Sequence, residues 1–217
     1  MKKQTSILFL LFTFFFANVG NVSAQQKHEY VDLGLPSGTL WATCNVGATN
    51  PEDYGDYFAW GETEPKDTYS WNNYRYGNGS DYDVTKKYNE NDGRTSLERI
   101  DDAAYQEWGS DWCIPTHAQF QELEDKCTWV RTSRNGKNGY NVKGPNLNSI
   151  FLPAAGRMGY DGKNSDVGFF GYYWSSSLGT VLPDDARYLY FSSDLVYTSG
   201  SDGRCFGLSV RPVRCKN

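Results

Sequence analysis

Histidine is almost missing from this chain: there are two in 217 residues, too few for a histidine-built metal centre. A basic excess is missing as well. Lys and Arg number 21 against 26 Asp and Glu, a net charge of −5, whereas nucleic-acid binders carry the opposite balance. Past the N-terminal segment, no apolar run approaches the roughly 18 residues that a membrane span needs. Five cysteines are too few to build a disulfide scaffold at this length, and their odd number leaves at least one thiol unpaired. There is no Gly-x-Ser-x-Gly elbow, no His-Glu-x-x-His and no P-loop. Low-complexity tails, linkers and internal repeats are absent too. What the chain has is aromatic side chains, 16% of the whole, and 22 glycines. That aromatic content excludes general disorder, and the length suits one domain with a real core.

The first residues read as a secretory signal. Lys2 and Lys3 form a basic start, Ile7 to Phe16 is almost unbroken Leu, Phe and Ile, and Val22-Ser23-Ala24 supplies small residues at the cleavage site. The expected division is a signal peptide over 1–24 and one exported domain over 25–217. No cysteine follows the apolar run, so a lipid anchor is not expected. The exported domain is expected in the periplasm or at the cell surface, with no membrane insertion after signal removal.

Along the remainder, Tyr30 to Leu35 and Thr39 to Val46 flank the turn Pro36-Ser37-Gly38 and read as a hairpin. Gly47 to Gly93 is irregular, and Tyr57, Phe58, Trp60, Trp71 and Tyr74 are suited to pinning it down. Two helices follow. Thr95-Ser96-Leu97-Glu98 fits a capping box ahead of Ile100, Ala103, Ala104 and Trp108, with Gly109 as the stop. Thr116-His117-Ala118-Gln119 fits another, ahead of Phe120, Leu123 and Cys127 on one face. Short strands fill the rest: Asn138-Gly139 reads as a hairpin turn, and Ile150 to Pro153, Tyr172 to Trp174 and Arg187 to Phe191 read as strands. The expected core includes Trp41, Trp60, Trp112, Phe120, Leu152, Trp174 and Val210. The fold class expected is α+β, one domain with two helices and many short, mostly antiparallel strands. Cys113 and Cys127 flank the second helix and are placed for a local pair, although spacing leaves the connectivity open.

Glu64-Pro65-Lys66 and Trp71-Asn72-Asn73 suggest a calcium-dependent sugar site. Lys66 and Asn73 stand where an amide and a carboxylate ligand would be needed, so no metal site is expected. No motif calls for a cofactor. His117, at a helix start, reads as structural.

An ordered set of phrases carries more information. Gly38-Thr39-Leu40-Trp41-Ala42-Thr43-Cys44-Asn45-Val46-Gly47-Ala48 is followed by Tyr57-Phe58-Ala59-Trp60-Gly61-Glu62, then Trp112-Cys113-Ile114-Pro115-Thr116. Ile150-Phe151-Leu152-Pro153-Ala154-Ala155-Gly156, Gly171-Tyr172-Tyr173-Trp174-Ser175-Ser176-Ser177 and Gly207-Leu208-Ser209-Val210-Arg211-Pro212-Val213 complete it. Over roughly residues 30 to 214 the chain resembles the Fibrobacter succinogenes major paralogous domain family of exported Bacteroidetes proteins. Cys113 replaces the arginine of that family's Trp-Arg-x-Pro-Thr phrase. The resemblance implies a C-type-lectin-like fold whose late loops display a ligand surface, and it implies no reaction. Some relatives resemble variable proteins of diversity-generating retroelements. Residues 175–209 contain no Lys, Glu, Gln, Met or Trp, which is the outcome expected of asparagine codons mutated at their adenines. Paratope-like surfaces share that composition.

The function expected is therefore ligand binding without catalysis. The recognising residues would be Tyr188, Tyr190, Asp194, Tyr197, Asp202 and Phe206, with a protein or glycan at a cell surface as the ligand. Two alternatives belong to other classes. One is a structural or accessory subunit of a cell-surface assembly. The other is a formylglycine-generating-type oxidase, but the closely spaced cysteine pair it needs is missing, since Cys205 and Cys215 stand far apart.

Overall fold

A computed structural model describes residues 28–79, 86–89, 91–180, 182 and 184–215; the expected signal peptide over 1–24 lies outside them. The first described strand, Tyr30–Asp32, pairs with Leu40–Ala42. The chain's last strand, Val213–Arg214, is inserted between Leu40–Ala42 and Trp112–Cys113, so the two ends of the domain share one four-stranded sheet. A larger, six-stranded sheet runs in the order Val196–Tyr197, Asp185–Phe191, Gly171–Leu178, Leu208–Ser209, Tyr57–Phe58. Ser201–Gly203 adds to it beside Asp185–Phe191. Thr128–Arg134, Lys137–Lys143 and Ser149–Pro153 form a three-stranded meander, and Arg157–Met158 pairs with Asn164–Ser165.

Strands occupy 34% of the described chain and helices 12%, so the domain is strand-dominated and the α+β class expected from sequence is wrong. Two physical causes explain the error. Many strands are two or three residues long, too short for alternation to register. The first helix also shrinks to Ala103–Trp108, because Thr95 to Leu97 is extended instead, with Leu97 N–H on the Ser176 carbonyl and Leu178 N–H on that of Thr95. Asp102 becomes the cap, accepting from Tyr105 N–H at 3.1 Å, and Ile100 is left exposed. Gly109 does stop this helix, at φ 91°.

The second helix, His117–Lys126, follows its capping box. Thr116 Oγ1 accepts from Gln119 N–H at 3.2 Å, and Gln119 Oε1 accepts from Thr116 N–H at 2.8 Å. Its Phe120 and Leu123 pack with Trp41, Leu152, Tyr173 and Leu189. All seven core residues expected from sequence are buried. The meander turns at Asn135-Gly136, not at Asn138-Gly139, which lies within a strand. Asn135 and Gly136 have φ of 47° and 80°, the positive values a two-residue hairpin loop demands.

The cysteine pair is Cys113–Cys215, not Cys113–Cys127. Pairing of Val213–Arg214 with Trp112–Cys113 brings Cys215 alongside, while Cys127 ends the helix elsewhere. The C-terminal segment is thereby tied into the sheet.

Aromatics do pin the irregular early segment. Trp60 Nε1 donates to the Ser175 carbonyl at 2.8 Å, and the Tyr74 hydroxyl donates to the Trp60 carbonyl at 2.8 Å. Tyr76 and Tyr88 both donate to Asp101, each at 2.5 Å, and Lys87 pairs with the same carboxylate. Burial works to raise the Asp101 carboxyl, but these three donors outweigh it and hold it below the usual range.

Candidate functional site

The central hairpin of the larger sheet sorts its side chains by the pleat. Tyr173 opposite Leu189 and Gly171 opposite Phe191 face the helix. A Cβ on Gly171 would lie 2.1 Å from the Phe191 ring, so only glycine fits. Tyr172 opposite Tyr190 and Trp174 opposite Tyr188 take the other face. The early segment covers the Trp174 end of that face, where Trp174 packs with Trp60 and Leu208. The Tyr172 and Tyr190 end is left half-open. There Phe170 stacks on Tyr190 at 5.7 Å, Tyr172 lies 5.2 Å from Tyr190, and Tyr197 stands exposed beside Tyr190 on the next strand.

Tyr188 is more enclosed than the alternation alone suggests. Its ring lies between Tyr172 and Trp174, Gly200 passes close against it, and desolvation pushes its hydroxyl up to about 12. Asp194 is exposed, with its carboxylate taken up locally by the hydroxyls of Ser192 and Ser193 at 2.9 and 3.2 Å. It organises a turn at the edge of the tyrosine strip.

Asp202 and Phe206 meet at Arg157. Its Nη1 donates to Asp202 Oδ2 at 2.7 Å, and its guanidinium lies 5.1 Å from the Phe206 ring centre and 5.5 Å from that of Tyr172. Beyond this arginine the strip opens into a cleft of about 640 Å³. Tyr69, Trp71, Cys205 and Phe206 form its floor. Tyr160, 79% exposed, and Leu182, 52% exposed, stand at the rim. Asp184, Asp185 and Asp202 supply carboxylates. Burial raises the carboxyls of Asp185 and Asp202; the neighbouring acids push Asp185 further up, and Arg157 opposes the rise at Asp202.

Of the six residues singled out from sequence, Tyr190 and Tyr197 lie side by side, Tyr188 is enclosed behind them, Asp194 sits at the adjoining turn, and Asp202 and Phe206 line the cleft. The reading missed the cleft's other walls. Trp71 was noticed as an aromatic that pins the early loop and within the calcium-like pattern, but not as a wall of a cleft. In that loop the Lys66 ammonium already sits among the oxygens, 2.8 Å from Glu62 Oε2 and 3.0 Å from the Asn73 carbonyl. Among the described residues no group of three or more His, Cys, Asp or Glu is placed to hold a metal ion.

Burial pushes the Cys205 thiol up to about 12 and the Cys127 thiol up to about 11, and raises Cys44 too, so all three stay protonated. His117 is lowered by burial at its helix start. No helix among the described residues is long and apolar enough to cross a membrane. The cleft itself is lined by aromatic side chains and carboxylates. Comparison with family models, curated proteins and solved structures finds no match to this chain.

Proposed function

We propose that this chain is an exported ligand-binding module that recognises a protein or glycan on a cell surface through the tyrosine strip and its adjoining cleft. One observation carries the reading. One end of a face of the central hairpin stays half-open, and Arg157 links its Tyr172 to Asp202 and Phe206 in the wall of a cleft of ligand-binding size. Tyrosine offers wide contact at a small cost in rotamer entropy, together with a hydroxyl for hydrogen bonding.

Kinship with the Fibrobacter succinogenes major paralogous domain family, and retroelement diversification of residues 175–209, belong to the same proposal. Burial limits what diversification can touch. Ala186, Leu189, Phe191 and Leu208 lie in the core, which leaves variation to exposed positions such as Leu182, Asp194, Leu195 and Tyr197.

The test is a paired substitution. Tyr190→Ala with Tyr197→Ala removes the two most accessible members of the strip and spares Tyr188, whose ring packs on Trp174. The double variant is expected to melt within about 5 °C of the parent. Its binding to intact cells should fall at least thirtyfold, since aromatic hot spots contribute about 2 kcal/mol each. Flow cytometry with the labelled exported domain measures this. Undiminished binding by a folded double variant rules the strip out.

A further inference from the structure

We propose that the cleft receives a cation, the ammonium or guanidinium of a lysine or arginine side chain presented by a peptide segment. This rests on the binding-module reading and names the ligand chemistry of the same site.

The charge balance of the cleft comes first. Three carboxylates line it, and one cation at its edge, Arg157, pairs with Asp202. Asp184 and Asp185 enter no salt bridge among the described residues, and Asp185 Oδ2 is met by the Ser201 hydroxyl at 2.8 Å. Two other cations lie near, and both are engaged. The Arg204 side chain is fully buried, with its Nη1 on the carbonyls of Lys87 and Tyr88 at 3.2 Å and its guanidinium over Trp60. Lys66 is paired with Glu62. Arg204 keeps its charge and offsets part of that on Asp184 and Asp185, so three carboxylates face two cations and one negative charge is left over; burial raises the carboxyls of Asp185 and Asp202, and the neighbouring acids add to the rise at Asp185. A neutral ligand would desolvate those acids further and leave them unrelieved; a cation would relieve them.

The aromatic walls point the same way. Indole and phenyl rings attract cations most strongly where water is thin, and Trp71 and Phe206 line the cleft together with the acids. The molecule already contains one example of the arrangement. Arg157 is held between the Tyr172 and Phe206 rings while it donates to Asp202. A ligand cation on the Asp184 and Asp185 side would repeat that chemistry one step further into the cleft. The chain's net charge of −5 would also draw a basic segment in.

The probe is acetyl-Gly-Lys-Gly-amide, with its norleucine counterpart as the uncharged control, titrated into the 15N-labelled exported chain. The lysine peptide is expected to shift the Trp71 and Gly203 signals saturably, while the norleucine peptide does not. Asp184→Asn with Asp185→Asn should weaken the lysine peptide roughly tenfold without lowering the melting temperature. Acidification toward the carboxylate range should weaken it as well. Equal responses to the two peptides, no response to either, or binding indifferent to the double substitution would overturn the proposal. Cellohexaose shifting these signals where the lysine peptide fails would overturn the cation and leave the binding module standing. If no probe binds and the Tyr190/Tyr197 variant still decorates cells, both fall together.

Discussion

Arg211→Met is expected to destabilise the domain by about 3–5 kcal/mol, enough to unfold a marginal protein. Arg211 is wholly buried and, among the described residues, pairs with no carboxylate. Its guanidinium is satisfied by neutral acceptors: Asn45 Oδ1 at 2.8 Å and the carbonyls of Ala42, Thr43 and Phe151 at 3.1, 3.0 and 3.0 Å. These acceptors come from distant parts of the chain, so one side chain ties the last segment to the first sheet and to the meander. Methionine fills much of the volume but takes the donor from three buried acceptors and from the part-buried Thr43 carbonyl, and an acceptor left unmet costs about 1–3 kcal/mol. Arg211→Lys should recover only part, because one ammonium cannot reproduce the planar fork. Urea unfolding measures both variants. A midpoint near the parent's for the methionine variant would mean these contacts contribute little.

Trp174→Ala is expected to cost about 3–5 kcal/mol as well, through lost packing and a cavity. The indole is 1% exposed, and its Nε1 donates to the Phe58 carbonyl at 2.8 Å. It also supports Tyr188 from below, while the adjacent Ser175 carbonyl holds Trp60 of the early segment. Loss of this ring should therefore loosen the cleft floor, so that binding falls together with stability. Calorimetry beside the cell-binding assay would show the pairing. The contrast is with Tyr190 and Tyr197, where binding should fall and stability should hold.

The parts of this structure that were legible in the sequence are those set by local rules. The Thr116–Gln119 capping box needs only four neighbouring residues, and the inward turn of Leu189 and Phe191 follows from the pleat. Rules of equal strength nonetheless compete. Asn135-Gly136 and Asn138-Gly139 are both hairpin signals, and only pairing over the whole of Thr128–Arg134 with Lys137–Lys143 selects the first. Thr95 resembles a helix cap as closely as Asp102 does, yet the end of Gly171–Leu178 recruits Thr95 to Leu97 as extended chain. The cleft could not be read in advance at all. Trp71, Tyr160, Asp184 and Phe206 lie far apart in sequence and meet only through the sheet order and the folded-over early segment. The same holds for Cys113 and Cys215, separated by 102 residues and joined by adjacent strands.

The central claim is that ligand meets the molecule at the tyrosine strip and cleft, and tyrosine footprinting tests it most directly. Residues 25–217 are nitrated with tetranitromethane, free or bound to the cells of the binding assay, and each tyrosine is quantified by mass spectrometry. Tyr160 and Tyr197 are 79% and 44% exposed in the free protein, and Tyr30, on the other sheet, is 50% exposed. Binding is predicted to protect Tyr160 and Tyr197 and to leave Tyr30 as reactive as before. Protection of Tyr30 with Tyr160 and Tyr197 still open to nitration would contradict the account.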